Sequence, residues 1–253
     1  MSYFGFHLVF TLPPLLILAW VQQQPLAGIG GKRAWLGLPL IVLLALIYTT
    51  PWDNYLVWRE VWYYGRDRVL GTIGYVPIEE YLFFIIQPLL TGLWLYWLFP
   101  RTSEPVEQED TTIIRASGTL LWILLTVAGA LMLQWDKTVY LGLILVWASP
   151  VLALQWAVGA KQLWATKYTW LTATLIPTLY LWIADRIAIG NGIWTISETY
   201  STGFKLLGLP IEEATFFFVT NLLVVQGLLL VLLLWNKRSP AKLNLISPQL
   251  LTK

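Results

Sequence analysis

Pro77-Ile78-Glu79-Glu80 recurs 133 positions later as Pro210-Ile211-Glu212-Glu213, and each copy is followed at the same distance by two phenylalanines, Phe83 and Phe84 or Phe216 and Phe217. Upstream, Asp53 and Trp62 find Asp185 and Trp194 at an offset of 132. Carboxyl groups grouped this way are suited to general acid and base work on a substrate held among aromatic rings. The bland alternative is a good helix start: proline at the first position loses no helical hydrogen bond, and acids in the first turn suit the helix dipole. Two copies, each entering a strongly apolar run, favour function, because ionisable groups at membrane depth are expensive and usually serve a purpose.

Neighbouring residues on a helix point about 100° apart, so one glutamate of each pair should lead. Glu79 shares an i, i+4 stripe with Phe83 and Gln87, and Glu212 shares one with Phe216 and Thr220, which favours Glu79 and Glu212 with Glu80 and Glu213 as their partners. A carboxyl buried beside rings loses hydration of its charged form, while a helix N-terminus supports that form. Neighbouring acids also push one another towards sharing a proton, so one site can hold both an acid and a base.

Asp53 and Asp185 follow apolar spans, and read either as helix ends at headgroup level or as members of the site. Asn54 and Arg186 occupy equivalent places beside them and join the four phenylalanines, Trp62 and Trp194 as expected substrate-binding residues, with Arg186 able to pair with Asp185. The loops holding Tyr55, Trp58, Trp62, Tyr63 and Tyr64, then Trp194 and Tyr200, suit an interfacial aromatic belt. Duplicated Trp62 and Trp194 are the better candidates to offer π faces to a positive charge.

The 253 residues are 57% hydrophobic and only 12% charged, which argues against a soluble globule and for lipid as the solvent. The net charge of +2 comes from scattered cations that form no nucleic-acid footprint. Absence of Cys removes disulfides, thiolate metal sites and a cysteine nucleophile. A single His7, near the start of an apolar stretch, leaves no histidine pair for a metal and reads as structural. No metal site is expected.

A hydrocarbon core about 30 Å thick asks for roughly 20 apolar residues per helix. Seven stretches approach that: Phe4 to Val21, Ala34 to Tyr48, Ile78 to Leu98, Ser117 to Leu133, Val139 to Val158, Trp170 to Ala184 and Ile211 to Trp235, the second and sixth being short. The first has no basic leader and is expected to be a retained helix. Ten cations (Lys32, Arg33, Arg101, Arg115, Lys161, Lys167, Lys237, Arg238, Lys242 and Lys253) fall on one side, and six (Arg59, Arg66, Arg68, Lys137, Arg186 and Lys205) on the other. The positive-inside rule then puts the tail after Trp235 in the cytoplasm, in a chain integral to the cell inner membrane.

The fold class is all-α: a polytopic membrane protein of about seven transmembrane helices, arranged as two parallel three-helix repeats plus a linking helix. The expected division is residues 1–100 as first repeat, 101–134 as linker and connecting helix, 135–236 as second repeat and 237–253 as polar tail. An inserted crossing restores the orientation of the second repeat, which brings both Pro-Ile-Glu-Glu segments to one membrane side around a shared cavity. Arg101 to Arg115, with Glu104, Glu107, Glu109 and Asp110, reads as a solvated acidic linker, and Gly28-Ile29-Gly30-Gly31 as a loop matching no phosphate-cradling pattern.

Two Pro-x-Glu-Glu motifs opening aromatic-rich membrane helices resemble the lycopene cyclase domain of the heterodimeric and fused membrane type, over nearly the whole chain, without the phytoene synthase domain of the fungal fusions. The resemblance implies cyclisation of the linear ends of lycopene, or a related linear carotenoid, to β-ionone rings, with no net redox change, no bound flavin and membrane lipid as surroundings. No G-x-G-x-x-G fingerprint is visible. Hydration of the same carotenoid, or carotenoid and lipid binding without chemistry, are the alternatives; no D-x-x-x-D spacing supports a metal-dependent prenyltransferase. Oligomeric state is left open.

Overall fold

The computed structural model describes residues 1–22, 32–102 and 111–235, and these are almost entirely helical. The loop at Gly28 to Gly31, the linker acids Glu104, Glu107, Glu109 and Asp110, and the tail 236–253 lie outside the described residues.

Helix α1 (Tyr3–Phe6) is capped by Ser2, whose hydroxyl accepts the Gly5 N–H at 3.1 Å. It runs through a π-helical segment, His7–Thr11, into α2 (Leu12–Val21). Pro14 cannot donate to the Phe10 carbonyl, and Tyr180 does so instead with its hydroxyl at 2.7 Å. Then come α3 (Lys32–Trp58), α4 (Ile78–Thr102), α5 (Thr112–Met132), α6 (Val139–Ala165), α7 (Lys167–Gly190) and α8 (Ile211–Trp235).

Six of these runs are long and apolar enough to cross a bilayer, with Tyr3–Val21 taken as one, and the chain is an integral membrane protein. Helix α7 is 24 residues long but is not among the six; it carries Thr169, Thr172, Thr174, Thr178, Asp185 and Arg186. The spans expected to end at Tyr48 and Ala184 continue to Trp58 and Gly190, so Asp53 and Asp185 lie inside helices and not beyond them. A buried aspartate interrupts the hydropathy pattern without ending the helix.

Helices α4 and α8 form the centre: 72% and 67% of their spans are buried, against 17% for α3 and 11% for α5. They pack through Leu93, Tyr96 and Phe99 against Val225, Leu228 and Leu232. Polar bonds tie α7 to the pair. Gln87 Nε2 donates to Asn221 Oδ1 at 2.8 Å, Thr91 Oγ1 donates to the same oxygen at 2.6 Å, and Asn221 Nδ2 donates to Thr178 Oγ1 at 3.1 Å. Such bonds replace the water that hydrocarbon cannot supply, each contributing on the order of 0.6 kcal/mol.

Short strands complete the fold. β1 (Trp62–Tyr64) pairs antiparallel with β4 (Trp194–Ile196), placing Trp62 opposite Ile196, Tyr63 opposite Thr195 and Tyr64 opposite Trp194. Residues separated by 132 positions thus meet reciprocally about the central pair. Immediately before α4, β2 (Thr72–Ile73) and β3 (Val76–Pro77) form a hairpin. Before α8, β5 (Lys205–Leu206) and β6 (Leu209–Pro210) form another. Both turn through left-handed backbone, at Gly74 (φ 67°) and at Gly208 (φ 86°), as tight hairpins require.

Candidate active site

Each hairpin delivers the chain into the first turn of an inner helix, and the two glutamates there diverge. Glu79 turns back to the loop it follows, where its Oε1 accepts the Leu70 N–H at 2.8 Å. Glu212 does the same with Thr202, accepting the backbone N–H and the Oγ1 hydroxyl, both at 2.7 Å. Both residues are fully buried. Carboxyl groups taken out of water need hydrogen-bond donors, and these loop groups are in reach. The expectation that Glu79 and Glu212 lead their pairs into the cavity is therefore corrected: Glu80 and Glu213 face it.

That cavity is a chamber of about 40 Å³ where Asp53, Glu80, Asp185 and Glu213 meet, each from a different helix. Glu80 Oε2 accepts from Tyr3 Oη at 2.6 Å and from Tyr64 Oη at 3.1 Å. Glu213 Oε1 accepts from Tyr140 Oη at 2.5 Å. Asp185 Oδ1 accepts from Trp194 Nε1 at 2.8 Å, and its Oδ2 has no partner among the described residues. Asp53, 1% exposed, has no hydrogen-bond donor facing it among the described residues. Tyr64 stays an O–H donor, because burial first and the Glu80 charge second hold its phenol well above the ordinary range.

Trp62 and Trp194 both line the chamber; Trp62 donates to Tyr64 Oη at 3.3 Å. Phe83, Phe84, Phe216 and Phe217 line it too, with Phe83 edge-on to Phe217 at 6.1 Å. Asn54 and Arg186 stand outside. Asn54 accepts the Tyr75 N–H at 2.9 Å and so holds the first hairpin, while exposed Arg186 lies against Gly208 of the second. No ion pair joins Arg186 to Asp185 among the described residues. His7 is structural, its Nε2 bonded to the Glu79 carbonyl and its Nδ1 to Thr11 Oγ1, both at 2.9 Å.

Four aromatic residues in the site escaped the sequence reading. Tyr3 and Tyr140 hold equivalent places in the first turns of α1 and α6, but their offset is 137 and not 132 or 133. Tyr64 was assigned to the interfacial belt. Trp52 stacks on Phe216 at 5.7 Å and on Trp147 at 4.7 Å, yet its counterpart 132 positions on is Ala184, so no duplication marks it.

Phe83, Phe84 and Phe216 also line a second, largely apolar cavity of about 320 Å³ that adjoins the chamber. Its remaining walls come from α3, α4, α6 and α8.

The family model described as lycopene cyclase matches residues 2–98 and 136–230. The chain belongs to the lycopene cyclase family. It is 47% identical over 231 residues to the lycopene beta-cyclase of Halobacterium salinarum, covering 90% of this chain and 95% of that one. It is 35% identical over 238 residues to the bifunctional lycopene cyclase/phytoene synthase of Sporisorium reilianum, covering 90% of this chain and 34% of the relative. The corresponding protein of Aspergillus niger is 38% identical over 200 residues. No solved structure matches the chain. Both stretches matched by the lycopene cyclase model include chamber residues: Asp53 and Glu80 in one, Asp185 and Glu213 in the other.

Proposed function

We propose that this chain is a lycopene β-cyclase that closes a linear carotenoid end into a β-ionone ring, with the four-carboxyl chamber as its active site. The observation that carries the proposal is the meeting of Asp53, Glu80, Asp185 and Glu213 inside an aromatic wall, three rings of which also line an apolar cavity. A carotenoid is as apolar as lipid and reaches such a cavity from the bilayer.

The reaction needs one proton delivered and one removed. A carboxylic acid protonates C2 of the terminal alkene, leaving a tertiary cation at C1. The C5–C6 double bond attacks, forming the C1–C6 bond and moving the cation to C5. Loss of the C6 proton to a base closes the β ring with no change of mass. Asp53, which no donor faces, is least able to hold a negative charge and serves as the acid. Glu80, supplied with two phenolic donors, is best able to hold one and serves as the base. Glu213 and Asp185, with one donor each, complete the field. Trp62, Trp194 and the four phenylalanines offer π faces to the migrating cation in a site shielded from water.

The architecture that fits this chemistry is seven spans, with α7 as the least apolar, in two parallel three-helix repeats joined by α5. Reciprocal pairing of β1 with β4 supports it. So does the bond from Tyr48 Oη to the Trp147 carbonyl at 2.8 Å, which repeats that from Tyr180 to Phe10 at offsets of 132 and 137. The cation bias supports an orientation with the C-terminal tail in the cytoplasm, and we place the chain in the cell inner membrane.

Expression in cells that accumulate lycopene tests the function. Red pigment is expected to turn yellow-orange, with a shifted absorption at unchanged mass. Unchanged pigment in cells holding properly inserted protein would refute catalysis, and a product heavier by one water would replace cyclisation with hydration.

A further inference from the structure

The apolar cavity beside the chamber has a direction. On α8 its lining runs from Phe216 to Val231, fifteen residues or about 22 Å of helix. Helices α3 and α6 both pack on α8, leaving a slot between them. Near the chamber the slot is bridged by Tyr48, bonded to the Trp147 carbonyl, and by Trp52, whose Nε1 donates to the Leu143 carbonyl at 3.2 Å. Away from the chamber, the rim residues Leu40 and Leu44 on α3 are 39% and 52% exposed. A linear chain with its end in the chamber would reach this slot by passing the three phenylalanine rings that both cavities share.

Gly227 stands eleven residues along α8 from Phe216, about 16 Å into the slot. A Cβ added there would lie 3.1 Å from Ile41 Cδ1 on α3 and 3.4 Å from Gln155 Nε2 on α6. Both separations are at or below ordinary van der Waals contact, so a side chain there would push against both slot walls and narrow the slot. Gly37 differs: its Cβ would point at Tyr96 Oη, Leu228 and Val231, within the packing of α3 on the inner helices. We infer that the slot holds the polyene beyond the reacting end, and that Gly227, by adding no side chain where Ile41 and Gln155 already crowd α8, determines how long a chain the enzyme accepts.

This inference rests on the cyclase reading, and the test separates the two. Lycopene is compared with a shortened acyclic apocarotenal that keeps one intact ψ end, using membranes that contain the full chain. Turnover of both by the wild type secures the cyclase reading; turnover of neither overturns both readings. In Gly227→Leu, the ratio of kcat/KM for the short substrate over lycopene is expected to rise at least about tenfold, the scale of overfilling a packed site. Gly227→Ala should give a smaller rise. Val151→Phe, which fills the slot from α6, gives a second reading of the same ratio should Gly227→Leu fail to insert. An unchanged ratio in Gly227→Ala and Val151→Phe overturns the inference while leaving the cyclase reading in place.

Discussion

In the first half of the chain Trp62 donates its indole N–H to Tyr64, and Tyr64 joins Tyr3 on Glu80. In the second half Ile196 stands where Tyr64 would, Trp194 donates directly to Asp185, and Glu213 has Tyr140 as its phenolic donor. The carboxyl positions are therefore paired, but the donors around them are not. One lost hydroxyl sends the two tryptophans to different partners, leaving Asp53 without a donor while Asp185 keeps one. Wall and slot follow the same division: Trp52 stacks on Phe216 where Ala184 would stand on the other side, and the large cavity is lined from α3 and α6 but not from α7. The acids thus recur between the halves, and the hydrogen-bond donors around them differ.

The sharpest way to break this comparison is to amidate its two aspartates separately. Asp53→Asn removes the proposed acid and is expected to lower kcat by about 10²–10⁴, the range of general acid catalysis. Asp185→Asn should lower it by a clearly smaller factor. Equal losses, measured as ring formation per inserted protein, would show that the halves share the proton step.

Much of this arrangement is legible in the sequence, for physical reasons. Apolar runs mark the spans because lipid tolerates little else, and the offsets of 132 and 133 bring out Asp53, Asp185, Trp62, Trp194 and the Pro-Ile-Glu-Glu pairs. The choice between Glu79 and Glu80 was not legible. A stripe along a helix ignores the loop folded over its first turn, and it is that loop's N–H groups that claim Glu79 and Glu212. Tyr3 and Tyr140 were hidden because their offset differs by several residues from that of the acids. Trp52 was hidden because it has no duplicate.

Within the glutamate pairs, the comparison sharpens into chemistry against structure. Glu80→Gln is expected to abolish most turnover, and Glu213→Gln to lower it by a clearly smaller factor, both with insertion intact. Glu79→Gln and Glu212→Gln keep an acceptor for the loop, so they should mainly lower thermal stability, by about 1–3 kcal/mol for a buried polar group left less well paired. Thermal unfolding in detergent read beside pigment conversion separates the two classes. Loss of activity in Glu79→Gln at wild-type stability would move it into the reaction.

The smallest expected effect concerns the phenols, and it tests the donor count directly. Tyr140→Phe takes from Glu213 its one phenolic bond, whereas Tyr3→Phe leaves Glu80 with Tyr64, and Tyr64→Phe leaves it with Tyr3. A hydrogen bond to a charged group contributes roughly 1.5–3 kcal/mol, and a remaining second donor recovers part of that. Tyr140→Phe should therefore reduce kcat by about tenfold or more, and each single change beside Glu80 by less. The double variant Tyr3→Phe/Tyr64→Phe should lose more than the product of its singles, because the second removal leaves the Glu80 carboxyl without a phenol. If the singles simply multiply, the two phenols act independently and Glu80 does not depend on their joint support. The functional difference between the halves would then have to come from Asp53 and Asp185 alone.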